Sequence, residues 1–127
     1  LASGLSYGAL REAFAAQPEP LAEWSKEVWL IDRPVEELRD RNRKRVGMML
    51  DAGLIEEVRR LREQGFEANP SAAGAIGYRE VLAYLDGEMN REALAEAIVT
   101  HTNQLMRKQR SWFRHHIRHD RMVTGLA

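Results

Sequence analysis

Glu27-Val28-Trp29-Leu30-Ile31-Asp32-Arg33-Pro34 is the stretch on which the reading of the fold turns. Val28 to Ile31 are consecutive apolar residues, two of them β-branched, and Arg33-Pro34 stops the run, so 27–32 reads as a strand. No other segment reads as a strand so convincingly. A lone strand leaves backbone N–H and C=O groups unpaired on both edges and cannot form a sheet. The expectation is an orphan strand whose partners lie outside the chain, and a chain that is otherwise mainly α. The sequence opens at Leu1 with no initiator methionine, which adds to the expectation of a fragment.

Working outward, Pro34 suits the first position of a helix. Val35, Leu38, Asn42, Val46, Met49 and Leu50 follow helical spacing. Ala52-Gly53 breaks that helix, and Leu54, Ile55, Val58 and Leu61 continue on a new face until Gly65. Asn69-Pro70-Ser71 reads as a turn. A helix is expected from Ile76 or Gly77 to Leu85, with Asp86-Gly87 as its stop. Asn90 is a good N-cap for a long helix carrying Leu94, Ile98, Thr102, Leu105, Gln109, Trp112 and His116 on one face. Before the strand, Leu5-Ser6-Tyr7-Gly8-Ala9-Leu10 leads into a short helical stretch that ends before Gln17-Pro18-Glu19-Pro20.

The 127 residues suffice for one small domain. The chain has no cysteine, which removes disulfides, thiolate zinc sites and cysteine nucleophiles, and fits a reducing compartment. Its apolar runs are too short to span a membrane and no leader opens it, so the cytoplasm is the default expectation. Net charge is zero but unevenly spread. Residues 101–127 carry Arg107, Lys108, Arg110, Arg114, Arg118 and Arg121 against Asp120 alone, a net +5 that leaves −5 for residues 1–100. A second basic island is Arg39, Arg41, Arg43, Lys44 and Arg45, interrupted by Asp40. Such islands mark either a polyanion partner or solvated helix faces.

At 100° per residue, Arg107, Arg110, Arg114, Arg118 and Arg121 fall within an arc of roughly 80°. A row of guanidinium forks matches a nucleic-acid backbone, and it lacks the acidic i,i+4 partners that accompany solvated arginines. A helix that ends near His115 would remove Arg118 and Arg121 from this row. Ser71-Ala72-Ala73-Gly74-Ala75-Ile76-Gly77-Tyr78-Arg79-Glu80 runs small residues and two glycines into a helix start, where free N–H groups could meet an anion. Tyr78 could stack on a base there and Arg79 could hold a phosphate. The alternative is a loop whose helix start is packed against a neighbour.

Several signatures are missing. No GxxxxGK[ST] or GxGxxG phosphate loop occurs. His115 and His119 stand at i and i+4 without the glutamate of a zincin motif, so no metal site is expected. Glu56 and Glu57 read as helix surface, and no catalytic apparatus is recognisable in the chain alone.

Three motifs carry a resemblance. Leu38-x-x-Arg41-x-x-x-Arg45-Val46-x-x-Met49-Leu50-x-x-Gly53-Leu54-Ile55-x-Glu57-Val58-x-x-Leu61 resembles the helices that follow the core strand in bacterial tRNA dimethylallyltransferases. Ala75-Ile76-Gly77-Tyr78-Arg79-Glu80 with Tyr84-Leu85-x-Gly87 is similar to a second segment of that family. Thr102-x-Gln104-Leu105-x-Arg107-Lys108-Gln109-x-x-Trp112-Phe113-Arg114 is similar to a third. The match covers 27–115, with 1–26 less distinct.

The resemblance implies the mainly α, helical C-terminal portion of a P-loop-type α/β transferase. Residues 1–33 would end the α/β core domain, and 34–127 would form a helical tRNA-binding portion. The implied reaction moves a dimethylallyl group from dimethylallyl diphosphate to the N6 amine of the adenosine 3′ of the anticodon, the base being flipped into a channel. P-loop, catalytic aspartate and Mg²⁺ ligands would all precede residue 1. Carried over residue by residue, Gly74, Ala75, Ile76, Gly77, Tyr78 and Arg79 match one tRNA-contacting stretch. Arg107, Lys108, Gln109, Arg110, Ser111, Trp112, Phe113 and Arg114 match another. Arg41 or Arg45 matches an arginine near the diphosphate. The implied partners are tRNA and dimethylallyl diphosphate, with no membrane and a monomeric full-length enzyme. Asn103 stands where an arginine is common, Met106 replaces an alanine, and Gly4-Leu5-Ser6 lacks a frequent proline. The main alternative is a stand-alone helical RNA-binding module without catalysis; a plain helical interaction domain is disfavoured by the basic row.

Since no phosphate loop or base lies in these residues, the purified 127-residue chain is expected to transfer no prenyl group to tRNA, with or without Mg²⁺. Product formation in a radiolabelled transfer assay would contradict this assignment of the catalytic half.

Overall fold

A computed structural model describes residues 4, 6–18 and 20–124; Leu5 and Glu19, named above, lie outside the described residues. The elements run α1 (Tyr7–Ala15), β1 (Trp29–Asp32), α2 (Val35–Asp51), α3 (Leu54–Glu63), a 3₁₀ turn (Phe66–Ala68), α4 (Pro70–Ala73), α5 (Tyr78–Leu85), α6 (Arg91–His116) and β2 (Arg121–Thr124). The mainly α expectation holds. Asn69-Pro70-Ser71, read as a turn, starts the one-turn helix α4, with Asn69 Oδ1 accepting from the Ser71 and Ala72 amides.

Local chemistry explains the boundaries. Pro34 stands at the N-cap of α2, one residue outside the position expected for it, and Glu36 and Glu37 place negative charge at the positive end of the helix dipole. Gly53 at φ +98° turns the chain between α2 and α3, in a conformation that costs a residue with a Cβ. Asn90 Oδ1 accepts the Ala93 amide at 2.9 Å and opens α6 as expected.

The core is built by four helices. Val46 and Leu50 from α2, Leu54, Ile55 and Val58 from α3, Val81 from α5, and Leu94, Ile98 and Val99 from α6 are buried together. Val58, Val81 and Leu94 are fully inaccessible. Across α2 and α6, Asn42 Nδ2 donates to Asn103 Oδ1 at 2.9 Å and Arg43 reaches Glu96 at 2.8 Å. Arg62 ties the end of α3 to Glu67 and Asp86 at 2.8 and 2.7 Å. α1 buries no residue.

The orphan-strand expectation is corrected here. β1 pairs in parallel with β2, Trp29 opposite Arg121 and Asp32 opposite Thr124. Asp120 fastens the entry: its Oδ2 accepts the Val28 amide at 2.8 Å and its own amide donates to Val28 O at 2.9 Å. Arg121 lies 5.2 Å over the Trp29 ring and pairs with Glu27 at 2.8 Å. Arg121, expected in the basic row, instead opens β2, and the four residues Arg121-Met122-Val123-Thr124 with their charged head give almost no period-2 signal. Among the described residues the sheet stops at two strands, and Trp29, Ile31 and Met122 remain more than half exposed.

Leu94→Ala is expected to cost about 2–5 kcal/mol, because it empties space where four helices meet. Leu105→Ala, already 43% exposed, should cost far less. Urea unfolding followed by far-UV circular dichroism distinguishes the two, and equal losses would place the core elsewhere.

Candidate nucleic-acid interface

The three sequence motifs meet at one cleft. Asn42, Arg45, Val46 and Met49 of α2, Ile76 of the loop before α5, and Ile98, Thr102 and Leu105 of α6 line a hollow of about 200 Å³. Met49 and Ile76 also line a second hollow of about 340 Å³, walled further by Ala52, Leu54, Glu57, Gly77 and Tyr78. Apolar walls with a few polar rim groups are the usual make-up of a ligand site.

The glycine-containing loop is held from within. Gly77 sits at φ +98° and is buried, so the backbone itself demands glycine there. A Cβ on Gly74 would stand 2.9 Å from the Pro70 carbonyl oxygen. The expected free donors at the start of α5 are taken. The Gly77 amide donates to Glu80 Oε2 at 2.6 Å, and the Tyr78 and Arg79 amides both donate to Ala75 O at 3.1 Å. Glu80 supplies the anion that a helix start attracts, the glutamate half of a capping box. Its carboxylate is only 3% exposed and also binds Arg79 Nε and His101 Nδ1, the latter at 2.7 Å. Burial pushes its pKa up, but the bonds from Arg79, the Gly77 amide, its own amide and His101 outweigh that, leaving it below the ordinary glutamate value. Tyr78 is engaged too. Its hydroxyl donates to Glu57 Oε1 at 2.6 Å, which together with burial raises its pKa, and its ring meets Phe66 edge-on at 5.8 Å. Base stacking by Tyr78 would require leaving these partners.

The basic row divides. α6 ends at His116, so Arg118 falls in the connection and Arg121 in β2. Arg110 turns inward, giving Nε and Nη2 to Asp32 of β1 at 3.1 and 3.0 Å, and Arg114 Nη2 joins the same carboxylate. The acid partner that the helix lacks at i+4 thus arrives from 78 residues away. The Arg110 bond lowers the pKa of Asp32 most; burial opposes it, and Arg114 and the Arg33 amide add to the lowering. Arg107 and Lys108 pair with no acid among the described residues, nor does Arg45, whereas Arg41 reaches Glu37 at 3.5 Å. Beside this row Trp112 stacks parallel on His116 at 5.5 Å and meets Phe113 edge-on at 5.2 Å, both aromatics being nearly half exposed. Lys108, Gln109, Trp112 and Phe113 share one shallow surface, with Ser111 on the same exposed stretch.

Asn103, the departure from arginine, holds Asn42 of α2, and Met106 lines a groove together with Leu30 and Leu38. Sequence reasoning missed Glu80, His101 and Asp32. The spacing of Gly77 and Glu80 was a usable capping signal; nothing local links Asp32 to α6. Among the described residues no group of three or more His, Cys, Asp or Glu is arranged to hold a metal ion, and no helix is long and apolar enough to cross a membrane.

Helices bearing arginines and exposed aromatics beside a cleft, tethered to a strand, define a helical unit with the makings of a polyanion-facing surface. The family described as IPP transferase matches residues 4–116, and the chain belongs to it. It is 46% identical over 125 residues to the tRNA dimethylallyltransferase of Opitutus terrae, covering 98% of this chain and 41% of that protein. It is 43% identical over 91 residues to that of Nocardia farcinica, covering 72% and 29%. The tRNA delta(2)-isopentenylpyrophosphate transferase of Staphylococcus epidermidis superposes with a TM-score of 0.72 at 34% identity, over 80% of this chain and 33% of that one. The Bacillus halodurans full-length enzyme shares the fold, with a TM-score of 0.74 at 22% identity, covering 99% and 43%. The chain thus spans well under half the length of each.

Because the folded-state pKa of Glu80 is depressed, its ionised form stabilises the fold above the unfolded value of about 4.3, and that contribution fades as pH falls through the lower folded value. Glu80→Gln should therefore melt below the parent at pH 7, with the gap closing below about pH 4. A gap independent of pH in scanning calorimetry would mean that the charge of Glu80 contributes nothing.

Proposed function

We propose that this chain is the helical, tRNA-binding part of a tRNA dimethylallyltransferase. The complete enzyme would move a dimethylallyl group from its diphosphate to the N6 amine of the adenosine 3′ of the anticodon. One observation carries the reading beyond family membership: motifs that stand far apart in the chain converge on one cleft, with unpaired cations at its mouth and along α6. In this reading Arg45 reaches the donor's diphosphate, since it borders the cleft and no acid holds it, while Arg41 is drawn to Glu37. Arg107 and Lys108 take tRNA phosphates, and Trp112 and Phe113 offer faces for unstacked bases. The 74–79 loop shapes the cleft through Ile76 and Gly77 rather than presenting free amides. In this reading the Mg²⁺ that the reaction implies is held by the remainder of the enzyme. A monomeric, cytoplasmic enzyme completes the proposal.

A non-catalytic RNA-binding module built from the same helices is the competing reading. A chimaera separates the two: this chain replaces the matched segment of the Opitutus terrae relative, and dimethylallyl transfer to tRNA is measured. The transferase reading expects activity. It also expects Arg45→Ala to lower turnover or raise the KM for dimethylallyl diphosphate about 10- to 100-fold, the worth of a charge-assisted bond. Arg107→Ala with Lys108→Ala should flatten the slope of log tRNA affinity against log salt by about one to two units. A folded chimaera that binds tRNA without transferring the group would favour the module. An unchanged salt slope would reduce α6 to a solvated face.

A further inference from the structure

Asp32 stands out because its charge has the wrong sign for a surface that binds a polyanion. It is 12% exposed, at the end of β1, beneath the half of α6 that carries the basic row. Each of its oxygens takes more than one bond: Oδ1 accepts from the Arg33 amide at 2.9 Å and Arg110 Nε at 3.1 Å, and Oδ2 accepts from Arg110 Nη2 at 3.0 Å and from Arg114 Nη2. Arg110 is bound bidentately and is 21% exposed, while Arg114 is bound through one nitrogen and is 48% exposed. A guanidinium has five N–H donors. Neither arginine is exhausted: Arg110 Nη1 and Arg114 Nε and Nη1 give nothing to Asp32. Two cations and one carboxylate leave one net positive charge, the complement of one backbone phosphate.

A surface arginine loses side-chain freedom when it grips a phosphate, and that loss weakens binding. An arginine already fixed in the free protein avoids that loss. The guanidinium fork can then face a phosphate in a set orientation instead of sampling solvent. Asp32, Arg110 and Arg114 line a groove of about 210 Å³ together with the apolar side chains of Leu30, Ile31, Leu38, Met106 and Phe113.

We propose that Asp32 is a positioning residue: it preforms Arg110 and Arg114 as a paired clamp for a single backbone phosphate of the bound RNA. The inference rests on the RNA-binding reading above. It makes a prediction opposite in sign to simple electrostatics. Removing an acid from a polyanion-binding surface should tighten binding if charge alone matters; if Asp32 positions the arginines, removal weakens it.

The test uses the chimaera described above, with an anticodon-arm hairpin of unmodified RNA as the probe and binding measured by fluorescence anisotropy across a salt series. Asp32→Asn is expected to weaken affinity on the order of threefold to tenfold, the cost of re-ordering one or two long side chains. Asp32→Glu, which keeps the charge, should recover part of the loss. In an Arg110→Ala, Arg114→Ala background the same Asp32→Asn change should have almost no effect, which a general loss of fold would not reproduce. Tighter binding by Asp32→Asn, or an equal loss in the double-arginine background, overturns the proposal. So does an Arg110 Nε–H NMR signal in the free parent protein that exchanges with water as fast as that of a solvated arginine, a measurement that needs no variant to fold. Failure of the parent chimaera to bind the hairpin would instead bring down the RNA-binding reading, and this inference with it.

Discussion

Leu94 and Ile98 of α6, buried in one core with Val46 and Leu50 of α2, Val58 of α3 and Val81 of α5, form the contact on which the rest of the structure depends. It involves only the first third of a 26-residue helix. At 1.5 Å per residue that helix is about 39 Å long, and past Val99 it continues alongside α2 and β1, where Asn103 meets Asn42 and Arg110 meets Asp32. The buried end fixes the axis, and the outer half shows Arg107, Lys108, Trp112 and Phe113 on its exposed surface while Arg110 and Arg114 hold it to β1. Full burial is thus confined to the first third of the helix, while the outer half combines a partly buried Arg110 with exposed Arg107 and Lys108.

Two carboxylates then act where burial does not reach. Glu80 closes the start of α5 with its own side chain and, through His101, ties that start to α6. Asp32 does the same service for the outer half of α6, linking it to β1 through Arg110. In both cases a shielded anion meets several donors at once, the condition under which a partly buried charge is favourable. Each also governs a piece of the candidate interface: Glu80 the loop that walls the cleft, Asp32 the arginines beyond it.

The two-stranded parallel ribbon is the least self-sufficient part of the molecule. Parallel sheets are ordinarily covered on both faces, yet Val28, Trp29, Ile31 and Met122 are exposed here. The ribbon is held by end contacts, namely the Asp120 bonds to Val28 and the Arg121–Trp29 stack, and by Asp32 beneath α6. Its orientation therefore follows from side-chain chemistry at its corners more than from a core of its own.

What the sequence determined by itself was local. Hydrophobic spacing at Val46, Leu50, Ile55, Val58, Leu94 and Ile98 marked the helices and their buried faces, because a 3.6-residue period is written directly into side-chain order. Gly53, Gly87 and Asn90 marked the breaks, because left-handed backbone and N-capping each select a narrow set of residues. Family motifs marked which stretches belong to the candidate site. Tertiary structure alone decided what those stretches do with their charges. Arg110 and Arg114 looked like a free row until Asp32 came within hydrogen-bond distance across 78 residues. The start of α5 looked like an open anion site until Glu80 proved to be its anion. β2 carried no strand signal of its own, and β1 gives it its ladder. A hydrogen bond between distant residues leaves no periodic trace in the sequence, since it depends on where two backbones are brought together and not on spacing along either.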